Sequence, residues 1–221
     1  MYDWDFGVVW QFKWVLVEGA WVTLKITFFS IIFGTIAGFI LGLGRSAGSR
    51  WVRLPISAYV ELFLALPILV LMIWIYYCGP LLAGVTLSGF WAAVLALSLT
   101  LSAYVAEIVR SGILAVPTGH TEAARVLGMT QFQASTHIVI PQAIRVMVPP
   151  LLGMYISTLK MSSLASVIAV YELLHSAQTV IMDSFRPLEI YTTVAVMYVM
   201  LVLPFSYITR RYEFSNTWKL L

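Results

Sequence analysis

The sequence predicts an all-α integral membrane protein with five transmembrane helices, and three observations support this fold class. First, 61% of the 221 residues are hydrophobic and only 10% are charged, whereas soluble domains contain about 25% charged residues. Second, residues 62–106 contain no Asp, Glu, Lys or Arg, a run about twice the ~20 apolar residues that one crossing requires. Third, the apolar runs lack the alternation of polar and apolar residues that a membrane β-barrel would show.

The predicted spans cover residues 17–44, 54–79, 88–108, 146–171 and 189–209. The long uncharged run must fold back once, and we place this turn at residues 78–89. Pro80 lacks a backbone donor there, and the neighbouring glycines permit non-helical angles. Trp10, Trp14 and Trp21 precede or enter the first span at helical spacing, which is typical of an aromatic belt at the membrane interface.

The distribution of basic residues predicts the orientation of the spans. Nine of the 13 Lys and Arg residues fall on one side: Arg45, Arg50, Arg53, Arg110, Arg125, Arg145, Arg210, Arg211 and Lys219. The opposite side carries mainly acidic residues: Asp3, Asp5, Glu18, Asp183 and Glu189. We therefore expect the N-terminus outside and the C-terminus in the cytoplasm. The net charge of +3 reflects this sidedness and gives no reason to predict a nucleic-acid partner.

The sequence contains no recognisable catalytic or metal-binding centre. HExxH and GxSxG motifs are absent, and His120, His137 and His175 are too far apart to form a metal-ligand pair. A GxxxxGK[ST] phosphate-binding loop is also absent, so the chain cannot hydrolyse ATP by that route. We predict a protein that is not an enzyme and holds neither a metal nor a cofactor of its own.

Charged residues inside the predicted spans are candidates for function, because each costs about 2.5–3.5 kcal/mol at the centre of a helix on insertion scales. We single out Glu61, Glu107 and Lys160. Glu107 lies three residues before Arg110 near a helix end, which favours an ion pair. Glu61 could equally line a wet cavity or cap a partner helix. Lys160 could equally form a structural pair or lie on a transport path.

Residues 117–141, between the third and fourth spans, read PTGHTEAARVLGMTQFQASTHIVIP and are predicted to lie on the cytoplasmic side. Thr121 would begin one short helix, Gly128 would permit a sharp turn, and Thr130 would cap a second short helix ending near His137. The small alanines would let another protein approach closely. Apolar side chains would anchor that protein: Val126, Leu127, Met129 and Phe132. The alternative is an amphipathic hairpin on the bilayer surface.

This insert resembles the EAA signature of the membrane subunits of ABC importers. The letters EAA at 122–124, G at 128 and IVIP at 138–141 match the pattern EAA-x3-G-x9-I-x-L-P, with Ile140 in place of Leu. In that family the loop is a coupling helix that docks into a separate ATP-binding cassette protein. The resemblance implies the same role for Glu122, Ala123, Ala124, Leu127, Gly128 and Met129.

The resemblance extends to the permeases of polar amino acid importers, through GAWVTLKIT at 19–27, SAYVAEIVR at 102–110, PQAIRVMVPPLL at 141–152 and LKMSSLASVIAVYEL at 159–173. It implies a single transmembrane permease domain over residues 1–221 with the type I importer fold. It also implies several partners: a second permease subunit of the same or a paralogous chain, two ATPase subunits that bind ATP and Mg, and an extracytoplasmic solute-binding protein.

The function that this resemblance implies is import of a polar amino acid or a derivative by alternating access, in a bacterial inner membrane. The runner-up is a membrane scaffold, or an ATP-independent channel, that uses the 117–141 loop to dock another protein. Neighbouring reading frames for an ATPase and for a secreted binding protein would favour the importer.

Two departures from the subfamily pattern bear on the solute path. The usual FRGTPLL reads FLALPIL at 63–69, so Leu64, Ala65 and Leu66 stand where Arg, Gly and Thr are expected. The usual LKDTSL has Met161 in place of Asp. Either the substrate class differs, or this subunit is the half of a heterodimer that binds little. The candidate path residues are Glu61, Leu64, Pro67, Lys160, Met161, Ser162 and Ser163.

Overall fold

The computed structural model describes residues 2–84 and 86–217, with side chains in these ranges except those of residues 47, 83, 210 and 212–217. Every regular element in these ranges is helical. The α-helices are α1 Gly7–Gln11, α2 Lys13–Ala47, α3 Arg50–Ala65, α4 Ile68–Ile73, α5 Gly79–Ala83, α6 Gly89–Leu114, α7 Thr118–Val126, α8 Gln131–Ala134, α9 Ile140–Met161, α10 Leu173–Ser184 and α11 Pro187–Thr217. Trp74–Cys78 and Ser135–Val139 are π-helical, and Ser162–Ile168 is a 3₁₀-helix.

Four helical stretches are long and apolar enough to cross a membrane: Lys13–Ser46, Gly89–Leu114, Gln131–Ile168 and Pro187–Thr209. They contain most of the first, third, fourth and fifth predicted spans. The second predicted span consists of two segments, Arg50–Ala65 and Ile68–Leu82, that meet at an angle of 102°. Pro67 explains this break, because proline lacks a backbone donor and disfavours helical angles at the residue before it.

The fourth span is longer than predicted, because the second helix of the insert runs into it without interruption. Helices α8 and α9 and the π-helical turn between them belong to one stretch, Gln131–Ile168. The prediction that the second insert helix ends near His137 is therefore wrong. The wider π-helical turn ends two residues before Pro141, where it accommodates a residue that cannot donate to an α-helical ladder.

The backbone contacts divide the chain into two compact units. Unit one contains the described residues up to Ile32 together with Leu66–Ser98 and Tyr155–Tyr207. Unit two contains Phe33–Ala65, Leu99–Met154 and the described residues from Ile208 onwards. A single permease domain over residues 1–221 stays a prediction.

In unit two, α2 and α6 pack closely along a row of glycines. Gly34, Gly38 and Gly42 lie four residues apart on one face of α2, and a Cβ atom added to Gly38 would lie 2.5 Å from Val105 Cβ. Their neighbours on α6 are, in the same order, Leu101, Val105 and Val109. Such spacing of small residues is typical of helix packing in membranes. Residue numbers increase in the same direction along both rows, so α2 and α6 run parallel. The chain between them must therefore return to the end at which α2 begins.

Unit one has an apolar core built by α1, α2, α10 and α11: Val8, Leu16, Ala20, Leu173, Ala177, Val180, Ile190 and Val194. We did not predict α10, which lies between the fourth and fifth predicted spans. Its 12 residues are too few to cross a membrane. Its buried residues follow helical spacing, so α10 is stabilised by packing one face against this core.

The N-terminal segment is held against the start of α11 by Glu189, whose side chain is fully buried. Its carboxylate accepts hydrogen bonds from the Tyr2 hydroxyl at 2.6 Å and the Asp5 backbone N–H at 3.0 Å. The Arg186 guanidinium lies 3.5 Å from the same carboxylate. The hydrogen bond with Glu189 raises the pKa of the Tyr2 phenol. From the sequence, Glu189 is predicted only as one of the acidic residues on the outer side of the membrane.

Candidate functional site

The loop between α6 and α9 turns sharply at Gly128, as predicted. Gly128 has a φ angle of +80°, which L-residues with a side chain rarely adopt. The Met129 N–H donates to the Ala124 carbonyl and the Gly128 N–H donates to the Arg125 carbonyl, both at 3.0 Å. These two bonds form a Schellman motif, which ends α7 and satisfies its last carbonyls.

The helix after this turn begins at Thr130 with a capping box, which confirms its predicted start. The Thr130 hydroxyl accepts from the Gln133 N–H at 3.3 Å, and the Gln133 side chain accepts from the Thr130 N–H at 2.9 Å. The first helix differs from the prediction. It begins at Thr118, after Pro117, and the Thr121 hydroxyl donates to the Thr118 carbonyl within the first turn. Hydrogen bonds therefore fix the end of α7 and the start of α8 at the turn that joins them.

Three large apolar side chains of the loop are exposed, and we call them the loop surface: Val126, Leu127 and Phe132. They are 88%, 80% and 77% exposed, respectively. Large exposed apolar side chains are candidates for interaction sites when they form a patch. Among the predicted coupling residues, Glu122, Ala123 and Gly128 are also exposed, and Met129 is half-buried.

Ala124 differs from our expectation that the small alanines admit a partner protein. Its side chain is only 1% exposed, and Ala134 of α8 is also buried. A buried methyl group cannot present a docking surface. Ala124 therefore contributes to the packing of the loop. A partner protein would contact the neighbouring exposed residues instead.

The predicted path residues Lys160 and Ser163 line one cavity of about 370 Å³ in unit one. We call it the Lys160 cavity, and its other lining residues are Tyr198, Val199, Val202 and Leu203. The Lys160 side chain is exposed, and its ammonium group makes no hydrogen bond or ion pair within the ranges that the structure describes. The cavity thus combines one unpaired cation and two hydroxyls with an aliphatic wall.

The backbone changes conformation beside this cavity. Helix α9 ends at Met161 and continues as the 3₁₀-helix Ser162–Ile168. The Ser162 and Ser163 hydroxyls donate to the carbonyls of Leu159 and Lys160 at 2.7 and 2.8 Å. A 3₁₀ segment of seven residues is longer than usual, because 3₁₀ runs rarely exceed three or four residues. The serines therefore satisfy backbone carbonyls at this transition, and the Ser163 oxygen can still accept a hydrogen bond.

Sequence reasoning missed Glu172, which orients one wall of the Lys160 cavity. Its side chain is fully buried, and Oε2 accepts a hydrogen bond of 3.0 Å from the Tyr198 hydroxyl. Oε1 accepts from the His175 N–H at 2.8 Å, so Glu172 also caps α10. The Thr23 hydroxyl of α2 lies 3.4 Å from Oε2. An acidic residue directly before an apolar helical run was the signal for this cap.

The other predicted path residues do not line the Lys160 cavity. Glu61 is exposed on α3. Leu64 is partly buried against a small apolar cluster in unit two that includes Val60 and Ala103. Pro67 lies at the break before α4. Leu64 therefore has a packing role in the described structure, whereas the role of Glu61 stays a prediction.

The predicted ion pair of Glu107 is confirmed and is part of a larger cluster. The Arg110 guanidinium lies 2.5 Å from the Glu107 carboxylate. Arg45, near the end of α2, contacts the other carboxylate oxygen, and its Nε donates to the Ser57 hydroxyl at 3.0 Å. The contact between Arg45 and Glu107 therefore joins α2 to α6, on the C-terminal side of the row of glycines in α2.

Residues 30–215 match the model of a family described as the binding-protein-dependent transport system inner membrane component. The chain is 34% identical to the glutamine transport system permease protein of Escherichia coli K12, over 95% of this chain and 96% of that protein. It is 41% identical to the L-cystine transport system permease protein of Bacillus subtilis 168, over 80% of this chain and 75% of that protein.

A solved structure described as an amino acid ABC transporter with histidines has the same fold. It superposes with a TM-score of 0.89 at 34% sequence identity, over 96% of this chain and 99% of that chain. An inward-facing methionine ABC transporter superposes with a TM-score of 0.75 at 26% identity, over 91% of this chain and 95% of that chain. The fold predicted from the sequence is therefore confirmed, whereas the orientation of the termini stays a prediction.

Proposed function

The chain belongs to the family of binding-protein-dependent transport system inner membrane components, and we propose that it is the permease subunit of an ABC importer for a polar amino acid or an amino-acid-derived solute. It is a membrane-embedded transport component rather than an enzyme. The glutamine and cystine permeases among its relatives support the class of solute. The single observation that carries the proposal is the exposed EAA loop, because a docking surface outside the membrane is what coupling to an ATPase requires.

The defined turn of the loop and its exposed apolar side chains support a coupling role. The Schellman motif at Gly128 and the capping box at Thr130 fix the angle between α7 and α8. The loop surface would dock on one of two ATPase subunits, which would bind ATP and Mg. Because α8 continues into the fourth span, a displacement of the docked loop would be transmitted to the helix that carries Lys160.

The transport path would include the Lys160 cavity. The unpaired ammonium of Lys160 matches the carboxylate of an amino acid, and the Ser163 hydroxyl oxygen can accept from its ammonium. The aliphatic wall of Val199, Val202 and Leu203 would contact the body of the solute. Binding sites in transporters commonly lie where spanning helices are interrupted, and α9 changes to a 3₁₀-helix at this point.

The mechanism that fits these two sites is alternating access. A solute-binding protein on the outer face would deliver the solute, and a second permease subunit of the same or a paralogous chain would complete the path. Closure of the ATPase pair on ATP would move the coupling loops and switch the open side of the cavity. We place this assembly in a bacterial inner membrane, with the N-terminus outside.

Transport itself tests the proposal. The full chain, produced with an ATPase and a binding protein taken from neighbouring reading frames that encode them, is reconstituted in proteoliposomes with labelled glutamine, glutamate, arginine, histidine or cystine. We expect accumulation of at least one of these solutes that requires both ATP and the binding protein. Accumulation without ATP would instead identify a channel, and an assembly that binds its partners but transports none of these solutes would favour a scaffold or another solute class.

A pair of matched variants tests the docking surface. We expect Leu127→Ser to reduce both uptake and co-purification of the ATPase by about fivefold or more, the ~1 kcal/mol that a buried apolar anchor contributes at minimum. Leu82→Ser is the control, because Leu82 is similarly exposed, at 76% against 80% for Leu127, but lies outside the loop. Equal uptake and ATPase retention by the two variants would show that the loop surface does not dock the ATPase.

Single cysteines test the orientation. In a Cys78→Ser background, a cysteine at Ser49 should react with a membrane-impermeant thiol reagent only in inside-out vesicles, and one at Asp183 should react in spheroplasts. Both positions are exposed, so accessibility depends on the side of the membrane. The reverse pattern would show that the N-terminus is cytoplasmic.

A further inference from the structure

A basic cavity in unit two lies at the ends of the spanning helices and is separate from the Lys160 cavity. It has a volume of about 350 Å³ and is lined by Arg45, Ser46, Arg53, Ser57, Arg110, Ile113 and Leu114. Arg45 lies in the last turn of α2, and Arg110 lies four residues before the end of α6. Arg53 lies in the first turn of α3. The cavity is therefore at the depth of the lipid headgroups, not of the hydrocarbon core.

The charges around this cavity do not balance. Glu107 contacts the guanidinium groups of Arg45 and Arg110, and no acidic residue is among those that line the cavity. Arg53 makes no side-chain hydrogen bond or ion pair with any residue that the structure describes. Three guanidinium groups and one carboxylate leave two net positive charges, so the cavity is suited to an anion.

The geometry of the polar groups favours a phosphate over a carboxylate. Guanidinium groups form paired hydrogen bonds with phosphate oxygens, and here three of them surround one space. The Ser57 hydroxyl accepts from Arg45 Nε at 3.0 Å, so its own hydrogen can be donated to an anion. A phosphate has enough oxygens to accept from several of these donors at once.

The rim of the cavity indicates that the anion carries apolar chains. Leu114 lines the cavity and is 67% exposed. Trp51, two residues before Arg53, is 87% exposed, and tryptophan is enriched at the level of the headgroups. We propose that this cavity binds the phosphate of an anionic phospholipid, with Arg53 as its principal free donor and the acyl chains alongside Leu114. Basic pockets between spanning helices bind anionic headgroups in other membrane proteins.

The proposal can be tested on the purified full chain without its transport partners, and it does not depend on the proposed function. Native mass spectrometry measures how many lipids remain bound as phosphatidylglycerol or phosphatidylcholine is titrated. We expect one phosphatidylglycerol to bind more tightly than phosphatidylcholine. Arg53→Gln should weaken that site about fivefold, the effect expected for one basic residue at an anionic membrane surface, and Arg53→Lys should weaken it less.

Arg50→Gln is the matched control, because it removes the same charge from an exposed residue of the same helix that does not line the cavity. We expect it to change the affinity less than twofold. Equal losses from Arg50→Gln and Arg53→Gln would overturn the proposal, because they would indicate attraction by the general charge of the surface. Unchanged binding of phosphatidylglycerol to Arg53→Gln would overturn it as well.

Competition with glycerol 3-phosphate distinguishes the source of the phosphate. We expect no displacement of the lipid at millimolar concentration, because a soluble phosphate ester lacks the acyl chains that contact the rim. Displacement in this range, lost in Arg53→Gln, would assign the cavity to a soluble phosphate and overturn the lipid. If, in a separate co-purification with the ATPase, Arg53→Gln lost that partner while its lipid binding was unchanged, the cavity would be a protein contact and the lipid proposal would be overturned.

Discussion

The Tyr198 hydroxyl donates a hydrogen bond of 3.0 Å to Oε2 of Glu172. A fully buried carboxylate thus orients a side chain that lines the Lys160 cavity. The same carboxylate accepts from the His175 N–H at the start of α10. One residue therefore couples the position of a short connecting helix to the wall of the proposed transport path.

Replacing Glu172 should destabilise unit one. Glu172→Ala removes the acceptor of the Tyr198 hydroxyl, which costs about 1–3 kcal/mol for an unsatisfied buried group, and removes the cap of α10, which costs about 1 kcal/mol. We expect a lower temperature of thermal unfolding in detergent. Glu18→Ala is the control, because Glu18 is exposed and its loss should change stability by less than about 0.5 kcal/mol. Equal unfolding temperatures for the two variants would contradict this role of Glu172.

The sequence was sufficient for features that depend on neighbouring residues. The turn at Gly128 and the cap at Thr130 were predictable because a glycine after a short helix and a Thr-x-x-Gln pattern act within one or two turns. The spans were predictable because hydrocarbon accepts only long apolar segments with satisfied backbones. The ion pair between Glu107 and Arg110 followed from their spacing on one helix.

Features that depend on distant contacts were not predicted. Glu172 and Glu189 are buried because Tyr198 and Tyr2, respectively, donate to them from other parts of the chain. The break at Pro67 was also not predicted. A proline alone does not indicate a break, because other prolines of this chain lie inside continuous helices. The row of small residues beginning at Gly34 was readable as a packing motif from its four-residue spacing, but only the structure identifies α6 as its partner.

Close packing of α2 on α6 predicts that Gly38 tolerates no side chain. A methyl group in Gly38→Ala would lie 2.5 Å from Val105 Cβ and 2.7 Å from the Ser102 carbonyl oxygen. Overpacking of this kind typically costs about 1–3 kcal/mol. The unfolding temperature measures the loss, and Gly79→Ala is the control because a Cβ at Gly79 meets nothing within 4 Å. A Gly38→Ala variant as stable as Gly79→Ala would show that the two helices do not pack this closely.

Two glycines of the coupling loop should respond in opposite directions to the same substitution. Both have open space around an added Cβ, but Gly128 has a φ of +80°, whereas Gly119 lies within α7. Gly128→Ala should therefore destabilise the turn by about 1 kcal/mol, and Gly119→Ala should stabilise the helix by up to about 1 kcal/mol.

Hydrogen exchange of the α7 amides measures this difference, with faster exchange expected for Gly128→Ala and slower exchange for Gly119→Ala. Both variants leave the loop surface unchanged, so any loss of transport in Gly128→Ala would follow from the altered angle of the turn. Equal exchange rates in the two variants would show that the left-handed conformation at Gly128 does not fix the loop.

Lys160 is the residue through which the proposed path can be tested most directly. Its ammonium group lines a cavity with two hydroxyls and an aliphatic wall, and it has no ionic partner among the described residues. The subfamily's usual arginine in the second span is replaced by Leu64, which packs against an apolar cluster. Among the residues that line this cavity, Lys160 is therefore the basic side chain available to a solute carboxylate.

We expect Lys160→Met to lower uptake at least tenfold, which corresponds to the ~1.4 kcal/mol that one decade of affinity represents. Solute binding to the separate binding protein should be unchanged.

Lys25→Met is the control, because Lys25 is an exposed lysine of another spanning helix that does not line the Lys160 cavity. Uptake is normalised to the amount of protein in the membrane, since a structural lysine would reduce that amount and leave the uptake per molecule intact. A well-expressed and fully active Lys160→Met variant would place the solute site in a paralogous partner, and Leu64 and Met161 would then mark this chain as the half that binds little.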